Sequence, residues 1–296
     1  MILVVGASSH PGQKLIPMLA AKGYHIRALT RDPRKLDFAR SLGVDVIEGD
    51  IRQPDTLLRA CDGAEAVVSS VTAVGENLIS EVDEAGNRSL MESAQRSGMK
   101  RFVFVSAYGA AQNHPVDFFR IKYWTEEYLK SLRMEYSILR PTAFMGTWCR
   151  RIGAQVLNDR PVTIFGNGKN PINFISAEDV AKFIVLALED PRLKNQTLTI
   201  GGPQNLTFEE VIAIYERISG KQARKTYTPT WQMQLMSTLY KPFNETRSRF
   251  MAIRNELATS NWQVDMSEMV KHYPINLTRL DESISKLQNS DDQKVN

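Results

Sequence analysis

The chain has 296 residues, 43% apolar and 24% charged, which is the composition of a globular protein. Its net charge is +4, but apart from a compact group at Arg31, Arg34 and Lys35 the basic residues are dispersed, which argues against nucleic-acid binding. No stretch approaches the ~20 apolar residues of a membrane span, the two cysteines are too few for a disulfide framework, and no signal peptide is recognisable, so we expect a cytoplasmic protein.

Short apolar runs rich in β-branched residues alternate with segments of helical spacing along the chain. The predicted strands are residues 2–5, 24–29, 44–47, 66–69, 102–105, 136–139 and 197–200. Such nearly continuous hydrophobic runs are typical of parallel strands that are buried on both faces. The alternation predicts an α/β fold with a doubly wound parallel sheet of the Rossmann type.

The predicted helices include one that continues through Pro17 and two that begin after the capping residues Ser176 and Thr207. Beyond Gly220 the pattern also looks helical, so we expect a smaller, mainly helical C-terminal region. The predicted organisation is a Rossmann core over residues 1–145, then a substrate or lid region over 146–287, interleaved with the last strands of the core. A polar tail over 288–296 is predicted to be disordered.

The turn after the first strand carries the clearest functional signal. Gly6 permits a tight turn, Gly12 permits close packing of helix on strand, and the helix N-terminus presents N–H groups to a pyrophosphate. Ser9 stands where a GxxGxxG spacing has its middle glycine. The turn predicts a nicotinamide dinucleotide site made by Gly6, Ala7, Ser8, Ser9, His10, Pro11 and Gly12.

The end of the second strand decides which dinucleotide is expected. NAD enzymes usually place an acid about 20 residues beyond the turn, against the ribose 2′-hydroxyl. Here the strand ends in Thr30 and Arg31, and Arg34 follows, so Arg31 and Arg34 can meet a 2′-phosphate with charged hydrogen bonds. NADP(H) is therefore the preferred cofactor. NAD(H) stays possible because Asp32 competes, and a solvated basic loop is the alternative interpretation.

Several stretches occur in the order found in atypical short-chain dehydrogenases/reductases. They are Gly6–Gly12, Arg31–Lys35, Gly49–Ile51, Arg101–Ser106, Leu139–Thr142 and Glu178–Ala181. Within that group the chain resembles the NmrA-like family over roughly residues 1–220. The part around Arg247–Asn261 is similar to the photosystem II assembly factors of the group.

The resemblance implies further cofactor contacts after the third, fourth and sixth strands. These residues are Asp50, Ile51, Ser69, Ser70, Val71, Pro141, Thr142 and Ala143. The first two would contact the adenine, the next three would line the cofactor groove, and the last three would lie beside the nicotinamide.

The resemblance also implies a catalytic set, from which this chain departs. Ser106 matches the family's serine and Lys122 matches the lysine of its YxxxK motif, and both would also contact the cofactor. The tyrosine position of that motif is Phe118, which has no proton to donate. Tyr108, two residues after Ser106, is either a displaced acid or a packed side chain. No His, Cys, Asp and Glu cluster has the spacing of metal ligands.

Two functions follow from this pattern. The first is an NADPH-dependent oxidoreductase of a small organic or quinone-like substrate, which takes its protons from solvent. The second is a non-catalytic NADP(H)-binding redox sensor or complex-assembly factor. Phe118 favours the second, as does the Met- and aromatic-bearing segment 231–243, which would dock a protein partner or pack as a lid helix.

Overall fold

The computed structural model describes residues 1–292, with side chains through residue 286. Its strands are β1 (Ile2–Val5), β2 (Ile26–Thr30), β3 (Asp45–Glu48), β4 (Ala66–Ser69), β5 (Arg101–Val105), β6 (Glu135–Pro141), β7 (Ala143–Phe144), β8 (Val162–Phe165), β9 (Ile172–Ile175), β10 (Gln196–Ile200), β11 (Asn205–Leu206) and β12 (Lys225–Thr228).

Helices lie between many of these strands and follow the last one. They are α1 (His10–Ala21), α2 (Asp37–Arg40), α3 (Pro54–Cys61), α4 (Asn87–Arg96), α5 (Asp117–Ser131), α6 (Met145–Leu157), α7 (Ala177–Glu189), α8 (Phe208–Ser219), α9 (Thr230–Tyr240), α10 (Glu245–Thr259), α11 (Ser267–His272) and α12 (Leu280–Asp292). Short 3₁₀ turns cover Pro33–Leu36 and Pro191–Leu193, and a π-helical segment covers Ser80–Gly86.

A seven-stranded parallel sheet has the order β10-β6-β5-β4-β1-β2-β3. The strand order reverses between β1 and β4, because the chain first builds outward through β2 and β3 and then continues on the other side of β1. In doubly wound sheets this switch point, at the carboxyl ends of the strands, is where ligands bind. The α/β fold with a doubly wound Rossmann sheet is confirmed.

Most sheet strands lie within two residues of their predicted bounds because they are buried as nearly unbroken apolar runs. Every residue of β1 and β5 is buried, and Leu15, Ile16 and Leu19 of α1 are fully buried. α1 continues through Pro17, as predicted. Thr207 caps α8 with a complete capping box, and the Ser176 hydroxyl accepts from the Asp179 N–H at the start of α7.

The C-terminal part is helical, as expected, but it also contains strands that the sequence did not indicate. β11, β9 and β7 form a small sheet, and β12 pairs with β8. The segment after Gly220, expected to be mainly helical, begins with β12, most of which is exposed and therefore lacks a hydrophobic run. β7 and β11 have two residues each, too few to show a period.

The chain divides into two compact units, each made of two segments. The first comprises Met1–Pro141 and Val180–Ile200, and the second comprises Thr142–Asp179 and Gly201–Asn296. The domain boundaries predicted at 145 and 287 stay a prediction. The predicted tail overlaps α12, whose backbone is helical to Asp292, and residues 293–296 lie outside the described residues. None of the helices within residues 1–292 has the length and hydrophobicity to cross a membrane.

Candidate functional site

The turn between β1 and α1 requires glycine at two positions, for different reasons. Gly6 has a φ of +86°, and a Cβ there would lie 2.9 Å from both the carbonyl carbon and the Oγ of Ser70. A Cβ at Gly12 would lie 2.4 Å from the carbonyl oxygen of Gly6. Gly6 therefore provides the left-handed backbone of the turn, and Gly12 lets the first turn of α1 approach the end of β1.

Ser9 uses its hydroxyl inside the turn. The Oγ accepts from the Gly12 N–H at 3.1 Å and so caps α1. It also lies 3.1 Å from the Oγ of Ser70, the residue that follows β4. Two strand ends on either side of the switch point are thereby linked by side chains. Ala7, His10 and Pro11 complete the turn and the start of the helix.

A cavity of 210 Å³ opens at the carboxyl ends of β1, β2, β3 and β4. Of the sequence-predicted cofactor residues, those that line it are Gly6, Ser8, Ser9, Arg31, Asp50, Ile51, Ser70 and Val71. Its other walls include Ala73 and Glu76 from the loop after β4 and Val82 from the π-helical segment. These residues come from distant parts of the sequence and meet because parallel strands end at one edge of the sheet.

The two arginines near the end of β2 have different partners. The Arg31 side chain is exposed at the cavity, with Nη2 3.5 Å from an Oε1 of Glu76. Arg34 donates to both carboxylate oxygens of Asp32, from Nε at 2.9 Å and Nη2 at 3.1 Å. This pairing lowers the pKa of Asp32, mainly through the side-chain hydrogen bond. Arg31 thus lies at the cavity, while Arg34 neutralises the acid beside it.

The carboxylate of Asp50 lies at the end of β3 and is paired with Arg52. Arg52 donates to it from Nε at 3.0 Å and from Nη2 at 2.7 Å. These hydrogen bonds lower the pKa of Asp50, and the nearby charge of Arg31 adds to the effect. Asp50 is therefore ionised at neutral pH, and Ile51 beside it is buried.

Lys122 of α5 lies in a buried ion pair. Its Nζ is 2.9 Å from Oδ1 of Asp83, with the two side chains 2% and 0% exposed. The ammonium also lies 5.1 Å from the ring centroid of Phe104 and 5.8 Å from that of Phe118. Asp83 accepts a second contact, from the Ala73 N–H at 2.6 Å. Asp83 therefore compensates the positive charge of Lys122 inside the protein. The contact of Lys122 with a nicotinamide ribose stays a prediction.

Buried side chains hold the π-helical segment that carries Asp83. Ser69 donates to Oδ1 of Asn87 at 2.6 Å, and Asn87 Nδ2 donates to the carbonyl oxygens of Val82 and Asp83, both at 3.1 Å. Thr125 of α5 also donates to the Asp83 carbonyl oxygen at 3.1 Å. Ser69 is fully buried and does not line the cavity, but its hydrogen bond to Asn87 stabilises the π-helical segment whose Val82 does. Ser70 lines the cavity directly. Short π-helical segments occur frequently at functional sites.

The buried hydroxyl of Ser106 donates to Glu126 of α5. Glu126 is fully buried and accepts from Arg140 Nε at 2.9 Å and Arg140 Nη2 at 2.5 Å. Neither Glu126 nor Arg140 was singled out from the sequence as a side chain of the site. The available signal was helical spacing, since Phe118, Lys122 and Glu126 recur every four residues on one face of α5.

The remaining predicted positions lie in other surroundings. Tyr108 is half-buried on the loop after β5, and its backbone N–H donates to the Pro141 carbonyl oxygen at 2.9 Å. Thr142 donates from Oγ1 to Oδ1 of Asn173 at 2.9 Å, and Ala143 pairs with Phe174 in the small sheet. Asn173 is a fully buried amide that the sequence did not reveal.

Both cysteines are buried and unsuited to nucleophilic chemistry. Burial raises the pKa of Cys61 to about 12 and raises that of Cys149 as well. Since the thiolate is the reactive form, neither thiol is activated.

Comparison with known proteins defines the family. The NmrA-like family matches residues 1–283. The chain belongs to the NmrA-like family. The predicted resemblance is therefore confirmed.

Relatives of this NmrA-like chain have different described roles. The photosystem II assembly factor Ycf39 of Synechocystis sp. is 30% identical over 83% of the chain and 76% of its own length. The NAD(P)H azoreductase of Xenophilus azovorans is 28% identical, over 76% of the chain and 76% of its length. Among solved structures, an Escherichia coli NADPH-dependent quinone oxidoreductase complexed with NADPH superposes with a TM-score of 0.77, covering 97% of this chain and 99% of that one at 18% identity, which supports the fold.

Proposed function

We propose that this NmrA-like protein is an oxidoreductase that binds a nicotinamide dinucleotide, preferring NADP(H), and reduces a small organic or quinone-like substrate. The observation that carries the proposal is the cavity at the carboxyl ends of β1–β4, bordered by the Gly6–Gly12 turn. A site at the switch point of a doubly wound sheet is where this fold binds dinucleotides. A cytoplasmic location belongs to the same proposal.

The residues around the cavity fit the adenosine and pyrophosphate part of such a cofactor. A Cβ at Gly6 or Gly12 would clash with neighbouring protein atoms, so the two glycines let the N-terminus of α1 lie close to the end of β1, where its N–H groups can face a pyrophosphate. Ser8, Ser70 and Val71 would hold the pyrophosphate side, and Asp50 and Ile51 the adenine side. Lys122 and Ser106 remain the proposed contacts on the nicotinamide side, together with Pro141, Thr142 and Ala143.

Preference for NADP(H) rests on the charges at the end of β2. Arg31 is exposed at the cavity, and a phosphate offers it better geometry than the 3.5 Å contact with Glu76. Asp32, the acid that would repel a 2′-phosphate, is neutralised by two hydrogen bonds from Arg34. NAD(H) stays the alternative, because Glu76 competes for Arg31.

The proposed chemistry needs little from the protein beyond binding and orientation. A bound nicotinamide cofactor supplies a hydride. Phe118 cannot donate a proton, the Ser106 hydroxyl donates to Glu126, and the Lys122 ammonium is paired with Asp83. These contacts favour an acceptor that takes its proton from solvent, such as a quinone, over an alcohol or ketone that needs a positioned acid. The NAD(P)H azoreductase among the relatives supports a reductase of this kind.

The test is turnover of NADPH by the purified protein with a panel of quinones, azo dyes and enones, followed as loss of NADPH absorbance together with product formation. Turnover that falls in Arg31→Ala but not in Arg40→Ala, a matched charge loss on α2 outside the cavity lining, would support the proposal. NADPH binding without turnover on any acceptor would refute the reductase and leave the binding site. Absence of binding would refute both.

A second candidate is complex assembly through a protein partner. Trp231, Leu235, Leu239 and Phe243 are each more than half exposed and recur every four residues along α9 and just beyond it. The opposite face of α9 packs on α10, with Met233 fully buried and Ser237 bonded to Ser248. Large exposed apolar side chains mark interaction surfaces, and the assembly factor Ycf39 among the relatives favours a protein as the occupant.

A further inference from the structure

A second cavity, of 690 Å³, lies within the unit formed by Thr142–Asp179 and Gly201–Asn296. The loop after β8, the first turn of α8, the end of β12, the start of α9 and the last turn of α10 form its walls. Its volume is in the range of sites that bind small molecules, and it is open to solvent. None of its lining residues borders the cavity at the ends of β1–β4, so the two cavities are separate.

The backbone of the loop after β8 is held against three other elements. Gly166 and Gly168 both have a φ of +69°, which residues with a side chain rarely adopt. A Cβ at Gly166 would lie 3.1 Å from the Cβ of Ala258, and one at Gly168 would lie 3.3 Å from the Cγ of Glu209. The Gly166 N–H also donates to the Thr228 carbonyl oxygen at 2.9 Å. The two glycines therefore let the loop approach α10 and α8 closely enough to form one wall of the cavity.

Two side chains of opposite charge line this cavity without pairing. Lys169 lies on the loop and Glu209 lies in the first turn of α8, and neither has an ion-pair partner within residues 1–286. The Tyr227 hydroxyl donates to Oε1 of Glu209 at 3.0 Å, and this hydrogen bond raises the pKa of Tyr227, so the phenol keeps its proton at neutral pH. Oε2 of Glu209 has no donor within the same residues and can accept from a ligand.

The start of α9 adds a positive end to the same cavity. α9 begins at Thr230, and its N-cap residue, Pro229, has no side-chain hydrogen bond to offer. Both residues line the cavity. The first N–H groups of a helix have no intrahelical acceptor, and together with the helix dipole they favour an anionic group. Lys169 and the start of α9 thus provide an anion-binding part of the cavity, and Glu209 provides a cation-binding part.

We propose that this cavity binds a zwitterion of amino-acid or dipeptide size, whose carboxylate contacts Lys169 and the start of α9 and whose ammonium contacts Glu209. Because the two side chains line one cavity without forming an ion pair, a ligand can lie between them. A ligand with a single charge would compensate only one of the two, whereas a zwitterion compensates both with charge-assisted hydrogen bonds. The inference does not depend on a bound dinucleotide or on the proposed reductase activity.

The experiment is calorimetric titration of the purified full chain, at low ionic strength, with three ligands that differ by one charge. Alanylalanine has both charges, its N-acetyl derivative lacks the ammonium, and its C-terminal amide lacks the carboxylate. We expect alanylalanine to bind about threefold or more tightly than either derivative. The expected ratio is modest because solvent and salt weaken ion pairs at an open site.

Two variants assign each ligand charge to its protein partner. Glu209→Gln keeps an acceptor for Tyr227 but removes the charge, so it should abolish the preference for alanylalanine over the N-acetyl derivative. Lys169→Met should abolish the preference for alanylalanine over the amide. Lys225→Met removes an exposed charge on β12 outside the cavity lining and should change neither preference. A merely structural role of Glu209 or Lys169 would weaken all three ligands alike.

Equal affinity for the three ligands, or no saturable binding of any of them, would overturn the proposal. Preferences that persist unchanged in Glu209→Gln and Lys169→Met would also overturn it, because the ligand would then bind elsewhere. If the N-acetyl derivative binds as tightly as alanylalanine and loses affinity in Lys169→Met, the cavity binds an anion and the zwitterion is refuted.

Discussion

Lys122 is held by one carboxylate and two aromatic rings, so its ammonium is compensated inside the protein. Asp83, its partner, also accepts the Ala73 N–H and lies on the π-helical segment that borders the cavity. Removing one member of a buried ion pair leaves the other unpaired, which costs about 3–5 kcal/mol in typical proteins. The pair therefore links the position of α5 to the shape of the cavity wall.

We expect Lys122→Met and Asp83→Asn each to lower the free energy of unfolding by about 3 kcal/mol, because each leaves a buried polar group without its partner. The double variant should lose clearly less than the sum of the two. Urea unfolding followed by circular dichroism gives the three values. Additive losses would show that the two side chains are not coupled.

The same two variants test the predicted ribose contact. If Lys122 also contacts a cofactor ribose, Lys122→Met weakens NADPH binding more than Asp83→Asn does. Equal effects of the two substitutions on the dissociation constant would assign Lys122 a structural role alone.

Substitutions of Arg31 and Glu76 should change the affinity for NADPH in opposite directions. Arg31→Ala should weaken NADPH binding by about ten- to a hundredfold, since charged hydrogen bonds contribute about 1.5–3 kcal/mol, and should leave NADH binding unchanged. Glu76→Gln should strengthen NADPH binding, because the competing carboxylate at 3.5 Å is removed. Isothermal titration of both cofactors measures the preference, with Arg40→Ala as the control. Equal affinity of the wild type for NADPH and NADH would remove the basis for assigning NADP(H).

Local chemistry explains which residues were predictable. Gly6 and Gly12 could be interpreted from sequence because both requirements are local: Gly6 adopts the positive φ of the tight turn, and Gly12 lets the first turn of α1 pack on the adjacent end of β1. Glu126 and Asn173 could not, because a single polar residue becomes a buried partner only through contacts with other elements of the fold.

At the scale of elements, the start of α1 is fixed by close contact with the end of β1. Because a Cβ at Gly12 would sit 2.4 Å from a backbone oxygen, the helix can approach this near only without a side chain. The Ser9 cap and the Ser9–Ser70 contact then set the helix N-terminus against the loop after β4. The geometry of the cavity thus depends on a helix position that does not itself line it.

Gly12→Ala should destabilise the protein by about 2 kcal/mol, because the added methyl forces the helix away from the strand. Gly146→Ala is the matched control. A Cβ there meets nothing within 4 Å, and alanine favours a helix, so α6 should be unaffected or slightly more stable. Thermal unfolding measures both, and a Gly12→Ala midpoint at or above that of Gly146→Ala would contradict the packing argument.

The elements themselves were predictable to different degrees. The inner strands β1, β4 and β5 of the large sheet are buried on both faces and therefore appear as nearly unbroken apolar runs, whereas the edge strands β3 and β10 are partly exposed. β8 alternates between buried and half-buried residues over only four positions, and β12 is mostly exposed, so neither differs from a loop by hydrophobicity. β9 is fully buried but spans four residues, of which Asn173 interrupts the apolar pattern.

At the scale of the whole molecule, relatives of the chain include an azoreductase and an assembly factor, and the exposed face of α9 bears on which of the two proposed functions applies. In an enzyme of small molecules, four large apolar side chains exposed at 231–243 would have a role only if α9 acts as a lid helix. A protein that docks on another protein needs such exposed apolar side chains, since they form the buried centre of the interface.

We expect the double variant Leu235→Gln/Leu239→Gln to keep its stability within about 0.5 kcal/mol, because both side chains are exposed. The variant should lose cross-links, identified by mass spectrometry, between 231–243 and a protein partner in cells of the source organism. Thr238→Gln, an exposed position on the same helix outside the apolar series, should keep them. Light scattering that shows the wild type as a dimer and the variant as a monomer would instead make a second copy of this chain the occupant.

The position of β10 has a consequence for synthesis on the ribosome. β6 pairs on one side with β5 and on the other with β10, which the chain reaches only after the whole of Thr142–Asp179 has been made. Until Gln196–Ile200 emerges, the outer edge of β6 presents unpaired N–H and C=O groups, and such edges recruit other strands. The nascent chain therefore passes through a stage open to strand invasion, and a slow stretch of translation before residue 196 would prolong it.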